Sequence, residues 1–214
     1  MNVTEALNAR HSVRAFLSTP VEREKLESIL EAASRTPSWA NSQPWELFIA
    51  SGDTLEKIRK AYADKYARKS VSTPETPRPP QWSDAAKRHQ QQLHPDMVRD
   101  CGEAASQFGA LNQALFYAPV VVYIGMDRVL SEWSLYDIGA YSQSLMLAAV
   151  DHGLGAIQAI TLMLFPDVLR AEMDIPDSVK LTIGIAIGYE DKAHGINKFT
   201  SARDPISETV RFFS

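Results

Sequence analysis

Two short stretches of the chain carry residue types that can do chemistry. Arg10-His11-Ser12-Val13-Arg14 packs two fixed cations, a titratable ring and a hydroxyl into five residues. Planar guanidinium forks bind phosphate oxygens in pairs, so such a cluster suits that anion. Pro37-Ser38-Trp39-Ala40-Asn41-Ser42-Gln43-Pro44-Trp45 sets a hydroxyl and the carboxamides of Asn41 and Gln43 in a turn ahead of an apolar run. A carboxamide offers both a donor and an acceptor, which matches the carbonyl and ring-nitrogen edges of a heterocycle. A phosphate plus a polar ring describes a nucleotide-like cofactor, and flavin mononucleotide (FMN) fits it best.

Other chemistries find less support. His11, His89, His94, His152 and His194 show no metal-ligand spacing with the lone Cys101, so no metal site is expected. No Gly-x-Ser-x-Gly elbow is present for a serine hydrolase. Gly153-x-Gly155 stops short of the dinucleotide fingerprint because Gln158 holds the third glycine position. A nicotinamide cofactor would then be a diffusing reductant. The formal charge of −4 argues against a nucleic-acid partner, which calls for a basic surplus. No apolar run approaches the roughly 18 residues of a membrane helix. The first residues, with Glu5 and Arg10, do not read as a signal peptide, and a single cysteine suits a reducing compartment. A chain of 214 residues supports one sizeable core. The expectation is one domain over 1–214 in a cytoplasmic protein.

The elements that must position these groups follow from periodicity. Thr19-Pro20-Val21-Glu22 predicts a helix start, with Thr19 as cap and Glu22 closing a capping box, followed by Leu26, Ile29, Leu30 and Ala33 on one face. Trp45 to Ala50 reads as a strand, and Asp53 with Glu56 opens a helix carrying Leu55, Ile58, Tyr62 and Tyr66. Across 70–100, Pro74, Pro77, Pro79, Pro80 and Pro95 predict an irregular excursion or lid, with at most a short helix over Ser83–Leu93. Cys101, Ala105, Phe108, Leu111 and Leu115 fall on one helical face. Pro119–Gly125, Ala156–Ile160 and Val179–Ile187 predict strands, and a helix starts near Pro166. Trp133–His152 predicts a helix apolar nearly all round, which must be covered on every side by the core or by another subunit.

Together these segments resemble the nitroreductase family of FMN-dependent flavoproteins. The matching stretches are Arg10–Phe16, Pro37–Trp45, Asp137–Leu145, Gly153-Leu154-Gly155-Ala156, Phe165–Tyr189 and Asn197 through Arg203. The resemblance implies an α+β fold, a mixed and mostly antiparallel sheet wrapped by helices in an intertwined homodimer, with FMN sites built from both subunits. It implies NAD(P)H delivering hydride to flavin N5, and a small aromatic acceptor, nitroaromatic or quinone-like, then taking the electrons in a ping-pong cycle. Other flavin reactions on this scaffold (dehalogenation, dehydrogenation, flavin breakdown) and a non-enzymatic flavin-sensing dimer are the alternatives.

Residue by residue, the resemblance places Arg10, Ser12 and Arg203 on the FMN phosphate and His11 near the phosphate or ribityl chain. Thr200 and Ser201 stand where a second basic residue is often found. Arg14 matches a Lys or Arg position beside N1 and O2 of the flavin, where reduction places negative charge that a fixed cation stabilises. Pro37, Ser38, Trp39, Asn41 and Gln43 would reach the flavin of the partner. Gln158-Ala159-Ile160-Thr161 departs from the pattern of the best-known members, yet a backbone N–H of Ile160 or Thr161 could still face N5. Trp39 and Trp82 are candidates for an aromatic wall over the ring.

Overall fold

β-branched and apolar runs form four strands in the structure, a computed structural model that describes residues 1–213. β1 (Glu46–Ser51), β2 (Val120–Asp127), β3 (Gly155–Ala159) and β4 (Val179–Gly188) pair antiparallel in the order β1-β2-β4-β3. The central β2 is apolar on both sides because both are covered: Val121 and Tyr123 face one core, Val120, Val122 and Ile124 the other. Ser12 adds a parallel bridge to Ala156, so the segment that carries the cationic cluster is pinned to the β3 edge of the sheet.

Eight helices complete the fold: α1 (Val3–Ala9), α2 (Arg23–Ala33), α3 (Gly52–Ala67), α4 (Asp84–Cys101), α5 (Phe108–Gln113), α6 (Trp133–Asp151), α7 (Pro166–Met173) and α8 (Ile206–Thr209). α2 and α6 cover one face, with Ile29 and Ala33 packing alongside Tyr141, Leu145 and Ala149. α3, α5, α7 and a 3-10 turn at Ile160–Met163 cover the other, through Leu55, Ile58, Tyr62, Leu111, Leu162 and Leu169. α6 is buried on its sheet side only. Trp133 and Tyr136 on its outer side are 62% and 80% exposed, and Gln143 and Leu147 are half-buried beside them.

Three sequence expectations change. α2 begins at Arg23, not at Thr19-Pro20, and Glu22 makes no capping bond. The Glu22 carboxylate instead accepts from Tyr189 Oη at 2.7 Å, while Leu17 N–H donates to the Tyr189 carbonyl and holds the approach extended. Second, the proline-rich stretch contains an 18-residue helix that runs through Pro95. Residues around Pro95 are exposed, so the carbonyl it leaves unpaired faces water. The irregular part before α4 is tied down at Glu75, which accepts from Arg170 Nη2 at 2.8 and 3.0 Å and from Leu181 N–H at 2.6 Å and also pairs with Arg128. Burial alone would raise the Glu75 carboxyl, but these bonds hold it below its ordinary value. Third, the 101–115 helix is broken at Gly102 (φ +55°) into 3-10 and α segments, although Cys101, Ala105, Leu111 and Leu115 all remain buried. Among the described residues no helix is long and apolar enough to cross a membrane.

Candidate functional site

Residues 10–16 dock against β3 through Val13 N–H, which donates to the Ala156 carbonyl at 3.1 Å. A Cβ at Gly155 would lie 2.5 Å from Val13 Cγ2, so glycine there is what permits this approach. Asn197 then fixes the next two residues. Its Oδ1 accepts from the N–H of Arg14 at 2.7 Å and of Ala15 at 3.2 Å, and its Nδ2 donates to the carbonyls of Ala15 and Asp191. This buried clamp was not among the candidate residues. Only its type, an asparagine in an otherwise loop-like tail, signalled it.

Arg14 is 8% exposed. Its Nη1 donates to the Ser12 carbonyl at 2.8 Å, and its guanidinium lies 5.3 Å from the Phe199 ring centroid and 5.9 Å from that of Phe108. Burial lowers its pKa, yet a guanidinium starts so high that it stays charged. Arg14 Nε is buried without any hydrogen-bond partner among the described residues. An unpaired N–H of a buried cation is costly unless a ligand accepts from it.

Arg10, His11, Ser12 and Arg14 line a small hollow with Thr200, Ser201 and Arg203. Burial, and then the charge of Arg203, lower the pKa of Arg10. Arg203 is exposed and donates only to the Ser201 and Ala202 carbonyls and the Ser201 hydroxyl. Three cations, Arg10, Arg14 and Arg203, thus share a hollow with no carboxylate paired to any of them among the described residues, an arrangement that an anion relieves. The ring of His11 turns away toward Glu190, with Nε2 3.0 Å from Oε1 and Nδ1 3.2 Å from the Ala9 carbonyl.

Ser12 and Arg14 also border a cavity of about 510 Å³ whose floor is Ile157, Gln158, Ala159, Ile160 and Thr161. The 3-10 turn starts at Ile160, so its leading amides have no acceptor inside the turn. Tyr66, Phe108, Asn112 and Gln113 close the cavity from α3 and α5, and none of them was a candidate, because their types are those of ordinary helix residues. Thr161 Oγ1 donates to Asn112 Oδ1 at 3.1 Å, and Asn112 Nδ2 donates to the Phe108 carbonyl at 2.7 Å.

The Pro37–Gln43 loop does not join this cavity within the chain. It sits by α6, on the opposite side of the sheet, with Trp39 N–H donating to Asp137 Oδ2 at 3.1 Å and the Trp39 ring edge-on to Trp133. Gln43 N–H donates to Ser38 Oγ at 2.9 Å, and Gln43 Nε2 to Asn41 Oδ1 at 3.2 Å. Ala40, Asn41 and Gln43 have φ of 49°, 56° and 44°, a left-handed backbone that costs non-glycine residues about 1–2 kcal/mol each. Asn41 and Gln43 are exposed. Trp82 is 44% exposed and lies outside the cavity, whose aromatic lining is Tyr66 and Phe108 instead.

The α+β fold thus sets a cation-lined hollow beside a cavity of about 510 Å³, with Ser12 and Arg14 bordering both. A profile of the nitroreductase family matches residues 7–189, and the chain belongs to that family. It is 28% identical to a nitrobenzene nitroreductase of Ectopseudomonas oleovorans over 98% of this chain and 96% of that protein. It is 27% identical to a 4-nitrobenzoate reductase of Pseudomonas putida over 92% of this chain and 88% of that protein. The crystal structure of an FMN and NADPH-dependent nitroreductase NfnB from Sphigopyxis sp. strain HMH superimposes with a TM-score of 0.91 at 27% identity, covering 100% of both chains.

Proposed function

We propose that this chain is an FMN-dependent oxidoreductase that is reduced by NAD(P)H and passes the electrons to a small nitroaromatic or quinone-like acceptor in a ping-pong cycle. The observation that carries the reading is Arg14: buried, clamped through Asn197, and left with a free N–H at the border between the cationic hollow and the ring-sized cavity. The donor set fits the cofactor. Arg10, Ser12 and Arg203 would neutralise and orient its phosphate, and the cavity walls would hold its ring. When bound, FMN supplies the redox chemistry, its N5 taking hydride and passing electrons on.

The protein binds and tunes. Arg14 would hold fixed positive charge against the ring, where charge develops on reduction. The leading amides of the turn at Ile160 and Thr161 would donate to the ring, with Thr161 held by Asn112. Gln158 and Ala159 would line its edge, and His11 would stay beside the ribityl side of the hollow. A second copy would bring its own Pro37–Gln43 loop over the cavity, presenting Ser38, Trp39, Asn41 and Gln43. The open stripe of α6 and the exposed Phe212 and Phe213 support such a homodimer, since each leaves large apolar surface in water.

An absorbance spectrum of the purified protein, with anaerobic addition of NADH or NADPH, tests the reading. Flavin absorbance that bleaches on addition of reductant is the expected outcome. A colourless protein that takes up no added FMN would overturn it, and bound flavin that neither nucleotide bleaches would point to the sensing role.

A further inference from the structure

We infer that the acceptor is an uncharged aromatic with a hydrogen-bonding substituent, and that the site selects against aromatic carboxylates. The inference rests on the proposed flavin site and concerns the wall of the same cavity. Among the described residues, Arg14 is the only charged side chain lining it. That guanidinium lies between Phe108 and Phe199, already donates to Ser12, and on the proposed reading is committed to the flavin ring.

The polar groups left are neutral. Asn112 is engaged at both ends of its amide, by Thr161 and the Phe108 carbonyl. Gln113 and Gln158 are exposed carboxamides with no partner among the described hydrogen bonds, free to donate to or accept from a substituent. Burial raises the pKa of Tyr66, which keeps its hydroxyl neutral. On the same face of the sheet, Lys65 pairs with Asp167 and Arg59 with Glu56, which leaves neither cation free. The loop that a second copy would add, from Pro37 to Trp45, contains no charged residue. A carboxylate brought over the ring would therefore lose water without gaining a free counter-charge from this wall or from that loop. A nitro, amide or hydroxyl group would find Gln113 and Gln158.

Equilibrium titration of the oxidised, FMN-loaded protein with 4-nitrobenzamide and 4-nitrobenzoate reads this directly. The two differ little in shape, and measuring Kd avoids the difference in electron affinity that would colour a rate. The amide is expected to bind at least about tenfold more tightly. In Gln113→Arg, which places a cation on the exposed rim, the ratio is expected to fall to about threefold or below, through tighter carboxylate binding. Wild-type affinities within about threefold of each other, or a preference for the carboxylate, would overturn the inference. An unchanged ratio in Gln113→Arg would remove position 113 from the acceptor side. A protein that takes up no FMN overturns the flavin reading as well, whereas one that binds FMN and both acceptors equally overturns this inference alone.

Discussion

The Arg10–Arg14 segment and the Pro37–Gln43 loop both concentrate polar side chains, guanidiniums in one and carboxamides in the other, and the fold treats them oppositely. The first is finished within one chain. Its backbone is tied to β3 and to Asn197, and Arg14 is buried with one N–H unpaired. The second is exposed and bonded largely to itself, and it holds three left-handed residues that are not glycine. On the proposed function, the fixed segment with its buried, unpaired Arg14 Nε serves the ligand. The strained and exposed set on the far side of the sheet, on that same proposal, serves the cavity of a second copy, and strain of this sort persists only where the surroundings enforce it.

The strongest way to break that contrast is to keep the first region and deny the second its surface. Tyr136→Glu with Leu147→Glu places charge on the open stripe of α6. Sedimentation is expected to show a monomer, with FMN affinity weakened at least about 100-fold. A monomer that held FMN as tightly as wild type would end the contrast.

Glu75→Gln separates stability from the site, because Glu75 pins the 70–83 stretch without lining the cavity. Loss of the charge partner of Arg170 and Arg128 is expected to cost about 2–3 kcal/mol in denaturant unfolding, with FMN affinity little changed. The folded carboxyl sits below its ordinary value of 4.5. Its stabilisation is therefore full above that pH and disappears as pH falls through the lower folded value. Glu75→Gln should be less stable at neutral pH and converge with wild type in acid, and parallel curves would show that the carboxylate's charge is not what matters.

Arg10→Ala sharpens the reading of the first region. Loss of one charge-assisted contact is expected to weaken FMN binding by about 1.5–2 kcal/mol, or about 10- to 30-fold in a fluorescence titration. The apoprotein should melt no lower, because Arg203 loses a like-charged neighbour. A destabilised apoprotein would mark Arg10 as structural. The smallest effect concerns the loop itself. Ala40→Gly relieves one left-handed residue and should stabilise the fold by about 0.5–1 kcal/mol in thermal unfolding, and a loss of stability would mean the loop is not strained there.

Local pattern reveals much of this molecule. Val120–Ile124 is a continuous apolar run and Val179–Ile187 a mostly apolar, β-branched one, so both read as strands, and the periodicity of Trp133–His152 located α6 almost to the residue. Arg10, Ser12 and Arg203 could be assigned to a phosphate and Arg14 to the ring beside it, because guanidinium chemistry is written in residue type and the resemblance to the family's order of segments joins the two ends of the chain. The structure brings all four to one hollow. Other features were not local. Glu22 fails to cap α2 because Tyr189 engages it from across the fold. α4 continues through Pro95 because the carbonyl left unpaired is solvated. Tyr66, Phe108 and Asn112 look like any helix residues until α3 and α5 turn them into one cavity. The sequence by itself determined which elements form and which side chains carry charge, since both follow from the residues in a short window. Only the tertiary structure decided which of those side chains meet, because Asn197 reaches Arg14 across 183 positions, and the Pro37–Gln43 loop is separated from the cavity by the sheet between them.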